Sequence, residues 1–214
     1  MAELLFELPM DILGFGISAF IGRFAYSGYA TIASPNLLRL TIAFVSIAIG
    51  FALISSGLVI SEYGYILMTT GLATQAIGYF FIAFSHSLKS FDFTPSRIFV
   101  LIPLALGSFV IPGNSIEHLV RSISFILLVY ASIETLASYL QNKKISTMIT
   151  GLGLGLLALS ELLAWYGFIY PGSIFYLFAI TIKVAGFGLL FVPFSKFGLT
   201  SSLGRNLNQI GGGI

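Results

Sequence analysis

The chain has 214 residues, of which 57% are hydrophobic and 8% charged, and its mean hydropathy is +1.00. That composition excludes an ordinary water-soluble domain; the formal net charge of +2 says little by itself, and the sequence has no basic patch for nucleic acid. With no cysteine, disulfides, thiolate metal sites and cysteine nucleophiles are excluded as well.

The length accommodates about seven apolar spans of ~20 residues with short connections, and no sizeable soluble domain beside them. The first residues carry Glu3, Glu7 and Asp11 but no lysine or arginine, so they read as the lead-in to a retained helix rather than a signal peptide. Apolar runs place spans at 12–32, 40–60, 63–85, 98–111, 116–140, 145–168 and 172–194. The first stops at Ala33-Ser34-Pro35-Asn36 and the short fourth at Pro112-Gly113-Asn114, both turn-forming strings. The expectation is an all-α integral membrane protein, a single seven-transmembrane helix bundle over 1–194 with a mobile cytoplasmic tail at 195–214.

Loop charge sets an orientation. With the N-terminus outside, the inner loops and tail hold Arg39, Lys89, Arg97, Lys143, Lys144, Lys196 and Arg205, and the outer ones hold Arg121. Glu3, Glu7, Asp11, Glu62 and Glu117 gather outside. The expected placement is therefore a multi-pass cell-membrane protein, N-out and C-in.

The chain also resembles itself. A shift of 108 positions lays Gly71-x-x-x-Gln75-x-x-Gly78-Tyr79 on Ala179-x-x-x-Lys183-x-x-Gly186-Phe187, and the same ungapped shift lays the first span on the fifth and the second on the sixth. A parallel 3+1+3 internal duplication follows as an expectation, with units at about 10–87 and 116–195 around a linking helix at 97–112.

Four charges fall inside the apolar spans: Arg23, Glu134, Glu161 and Lys183. A lysine at the bilayer centre costs several kcal/mol, on the order of ~3, unless paired. At ~1.5 Å per residue, all four lie within reach of one central layer, and they sum to zero. Small residues flank each of them, which marks helix–helix seams rather than lipid faces. Glu161 is the first expected partner of Lys183, Glu134 the second, and Arg23 takes the remaining carboxylate. The cluster is either a static set of ion pairs that fixes helix register or a proton- or ligand-handling site. Gln75 joins the candidates because the repeat sets it opposite Lys183. Thr69, Thr70 and Thr74 are expected to bond to their own helix backbone, and Trp165, Tyr166, Tyr170 and Tyr176 to form an interfacial belt. His86 and His118 fall at opposite membrane faces, so no metal or haem pair is expected, and no catalytic residue emerges.

The string Lys183-Val184-Ala185-Gly186-Phe187-Gly188-Leu189, with Thr69-Thr70 on the third span, resembles the retinal-binding helix of microbial rhodopsins. The resemblance implies seven helices, an outside N-terminus and Lys183 as a retinal Schiff-base position, although the residue one turn earlier is Ala179 where the family carries a carboxylate. The same helix is similar to the last span of prokaryotic seven-transmembrane sensory domains, and the 3+1+3 layout is similar to that of SWEET sugar transporters. The leading expectation is a non-enzymatic sensor or transducer working through a membrane or cytoplasmic partner. A small-solute or proton-coupled transporter is the alternative, and an accessory subunit of a larger complex the third. No cofactor is expected unless it is retinal, and a homo-oligomer is compatible with the same sequence.

Overall fold

A computed structural model describes residues 2–87, 116–170 and 174–211. Those residues form six long helices and one short 3-10 turn: α1 Ala2–Ile32, α2 Pro35–Val59, the turn Ser61–Tyr63, α3 Gly64–Ser87, α4 Ile116–Asn142, α5 Ile145–Ile169 and α6 Phe175–Gly211. All six are long and apolar enough to cross a membrane. The fourth expected span, at 98–111, lies outside the described residues.

Three boundaries differ from the sequence expectation. α2 starts at Pro35 instead of 40, inside the expected turn, because proline suits the first position of a helix. α1 begins ten residues before the apolar run does, at Ala2 instead of 12. Pro9 costs one helical hydrogen bond, yet the helix runs through it, and so Glu7 and Asp11 belong to the helix body. At the other end, the segment expected to be a tail continues α6 through Pro193 to Gly211.

The short links are built alike. Ala33 and Lys143, 110 positions apart, both adopt positive φ, at 53° and 52°. Each returns its N–H to the residue four back, Tyr29 and Tyr139, at 2.7 Å, which closes the preceding helix with a single left-handed residue. Ile60 and Tyr170, also 110 positions apart, end α2 and α5 with the same return, to Ser56 and Tyr166. The ungapped shift of 108 therefore does not hold for these links. Gln75 and Lys183, on α3 and α6, are the pair that stands 108 apart and in contact.

Each helix packs on its neighbours in sequence, and α1 packs on α6, so the six close into a ring. Glycines bring the helices together along the α2–α3 and α5–α6 seams. A Cβ on Gly71 would stand 2.7 Å from the Gly50 carbonyl oxygen, and one on Gly186 would stand 3.1 Å from that of Gly153. The apolar core fills one half of the ring with Ile21, Phe44, Ile47, Leu128, Leu154 and Leu190 among others. The outside is apolar too: Phe20, Ile49, Phe80, Ile133 and Phe178 are exposed. In water such a surface would drive association, and in a bilayer it needs no cover.

Candidate functional site

The other half of the ring holds a cavity of about 100 Å³. Early residues of α1, α3, α4 and α6 and late residues of α2 and α5 line it. Those helix ends thus share one end of the bundle, and α2 and α5 run opposite to the other four. A single water needs ~10–15 Å³ of such volume, so there is room for several waters or one small solute.

Lys183 sits at the floor. Its Nζ lies 2.8 Å from Glu161 Oε1, donates to Gln75 Oε1 at 2.8 Å, and stands 5.6 Å from the centre of the Phe51 ring. One ammonium therefore joins α6 to α5 and α3 and rests against α2. Its side chain is 12% exposed and that of Glu161 only 2%. Charges so deep persist only when paired and hydrogen-bonded.

The second cation of the site is Arg121. Its Nη1 reaches Glu161 Oε2 at 3.4 Å, while Nε and Nη2 hold Glu117 Oε1 at 3.0 and 2.8 Å. Lys183, Glu161, Arg121 and Glu117 thus form an alternating chain, positive to negative, from the floor to the upper wall. The fork of the guanidinium suits it to bind two carboxylates at once.

On the opposite wall, α1 presents Glu7 and Asp11, four apart and so on one helical face. Both are buried, at 7% and 6% exposure. Glu7 accepts a hydrogen bond from the Tyr176 hydroxyl of α6. The Oδ2 of Asp11 has no hydrogen-bond partner among the described residues.

Of the residues singled out from the sequence, the structure brings together Lys183, Glu161 and Gln75. Glu134 is partly exposed on α4 and does not line the cavity. Arg23 is exposed on the outside of α1, contrary to the expectation that it would face inward. Small neighbours do not orient a helix by themselves, and α1 turns its other side to the ring, burying Ile21 and Ala25. Arg121, Glu117, Glu7 and Asp11 were missed because they sit at the edges of apolar runs, where charges read as loop residues. One signal could have found them. Glu7 and Asp11 share a face, as do Glu117 and Arg121, and that spacing is what a polar stripe inside a bundle needs.

The aromatic belt also divides. Tyr170 is exposed, whereas Trp165 is buried edge-on to His118 at 6.0 Å, and Tyr176 lines the cavity. Thr74 bonds to its own backbone, at Thr70 O, while Thr69 lines the cavity. No group of metal-binding side chains occurs among the described residues.

No family model matches this chain, and neither do any curated proteins or solved structures.

Proposed function

We propose that the chain is a multi-pass membrane protein whose cavity receives a small ligand from the side that carries the N-terminus. In this reading it is a non-enzymatic sensor or transducer, and a membrane or cytoplasmic partner reads the state of the helices. The observation that carries the proposal is the tie at the cavity floor. One ammonium holds α3, α5 and α6 at 2.8 Å contacts, so a solute that disturbs it changes three helices together. A buried polar network of this kind is costly when half-satisfied, which makes it a two-state element. Outside placement of the N-terminus rests on the basic loops opposite. That α3 and α4 run the same way supports a seven-span reading.

The absence of native cysteine gives a direct test. Thr69→Cys on the cavity wall should react with a membrane-impermeant thiol reagent added to the N-terminal side of sealed vesicles. Ile49→Cys, on the outer apolar surface, should not. Failure of Thr69→Cys to label from either side removes the cavity reading, and a visible absorbance band on reconstitution with retinal replaces it by a photoreceptor.

A transporter is the second reading, favoured by the matching links at Ala33 and Lys143 and at Ile60 and Tyr170. Together with the α2–α3 and α5–α6 seams, they support two parallel three-helix units in a 3+1+3 layout, with the bound solute between them. Solute counterflow or proton uptake in liposomes that is lost in Glu161→Gln supports transport, and uptake unchanged in both Glu161→Gln and Lys183→Met removes this mechanism.

A further inference from the structure

Asp11 brings to the cavity a carboxylate with an oxygen left unbonded. The residue is 6% exposed and lines the cavity, and its Oδ2 has no hydrogen-bond partner among the described residues. A carboxylate left short at this depth is among the more expensive groups a bundle can hold. The tie at the cavity floor is incomplete as well. Gln75 accepts from Lys183 through Oε1, but its Nε2 is buried without a partner. A polar network left half-satisfied holds only a small advantage over a rival arrangement of the same groups.

Two cations line the same cavity, Arg121 and Lys183. Arg121 is forked between Glu117 and Glu161. Lys183 carries its charge on a flexible stem and is the cation that acts most strongly on Asp11. Phe51 lies against both sides. A Cβ on Gly14, one turn on from Asp11, would stand 2.6 Å from Phe51 Cζ, and the centre of that ring lies 5.6 Å from Lys183 Nζ. The ammonium and the turn of α1 that carries Asp11 thus flank one aromatic ring, whose face attracts a cation.

We propose that Asp11 is a second station for the Lys183 ammonium, which leaves Glu161 and Gln75 and crosses the cavity to pair with it. The described arrangement ties α6 to α5 and α3, and the other ties α6 to α1. This deepens the sensor reading above, on which it rests, by naming the two states of the floor. A solute that donates to Asp11 holds the described state, and its departure frees the crossing.

The test is solid-state NMR of the full chain in lipid bilayers, with lysine labelled at the ammonium nitrogen and aspartate at the carboxyl carbon. The chain has two aspartates, Asp11 and Asp92, so in an Asp92→Asn background the labelled carboxyl is that of Asp11. With Glu161 in place, dipolar transfer between the two labels is expected to be weak, since Lys183 is held on Glu161. Glu161→Gln should raise it severalfold, and adding Lys183→Met should abolish it. No rise in Glu161→Gln overturns the proposal, and so does a rise that survives Lys183→Met, which would come from another lysine. Transfer equally strong with and without Glu161 also overturns it, because Asp11 would then be a fixed partner. Should Glu161→Gln not fold, Gln75→Met loosens the same ammonium and is read in the same way. Thiol labelling of Thr69→Cys tests the cavity separately, so a failed crossing leaves the cavity standing.

Discussion

Lys183 on α6 and Gln75 on α3 stand 108 positions apart and share a hydrogen bond of 2.8 Å. The two sit on opposite helices of the ring. A charged side chain on one is thus satisfied by a neutral amide on the other. The carboxylate that balances the charge comes from a third helix, through Glu161.

That division of labour has a measurable consequence. Lys183→Met leaves Glu161 with Arg121 alone, and Glu161→Gln takes from Lys183 the carboxylate it pairs with and leaves Arg121 with Glu117 alone. Each single change should lower stability by roughly 3–5 kcal/mol, read as thermal unfolding in detergent. The double change should cost clearly less than the two singles added, because the residues form one pair. Additive costs would contradict the pairing.

Arg121 and Arg23 provide a contrast between two arginines in apolar helices. Arg121 is 8% exposed and holds two carboxylates, so Arg121→Met should be about as damaging as loss of Lys183. Arg23 lies on the outside, where its long stem can carry the guanidinium toward a headgroup region. Arg23→Gln is expected to stay within ~0.5 kcal/mol of the parent.

The Tyr176 hydroxyl joins the first helix to the last by donating to Glu7. Tyr176→Phe should cost about 1–3 kcal/mol by leaving a buried carboxylate short of a donor. The exposed Tyr170 serves as the control, since Tyr170→Phe should leave the melting temperature unchanged.

Glycine seams can be tested by adding one methyl group. Gly71→Ala puts a carbon 2.7 Å from both the Gly50 carbonyl oxygen and Ile54 Cγ1, and separation of α2 from α3 should cost about 1–3 kcal/mol. Gly16 has nothing within 4 Å of the same position. Gly16→Ala should be neutral or gain up to ~1 kcal/mol from helix propensity. Equal effects at the two sites would rule out the close approach.

Ala33 and Lys143 point the opposite way. Both residues carry a Cβ at positive φ, which costs roughly 1–2 kcal/mol where glycine costs nothing. Ala33→Gly and Lys143→Gly should each raise stability by about 0.5–1 kcal/mol after the greater freedom of the unfolded glycine is deducted. Thermal melts of the two variants would check the sign.

Helix positions were legible from the apolar runs because length and hydropathy are local properties, and α3, α4 and α5 fall within two residues of expectation. The pairing of Lys183 with Glu161 was legible for a similar reason, since sequential antiparallel helices bring equal depths together. Arg23 and Arg121 exchanged roles because hydropathy gives depth but not rotation about the helix axis. Which face turns inward is decided by packing with α2 and α6, through contacts such as Phe24 with Phe191 at 6.0 Å between ring centres. The start of α1 was missed for a different reason. Glu7, Pro9 and Asp11 look like a solvated lead-in until Tyr176, 169 positions away, supplies a partner.

This long separation bears on how the molecule is made. During synthesis α1 precedes α6, and the Tyr176 donor for Glu7 arrives only after 169 further residues have been added. Glu161 finds Arg121 earlier, within the second half of the chain. The order of birth therefore leaves the contact between α1 and α6 open until α6 is made, and closing the ring is the step that joins them.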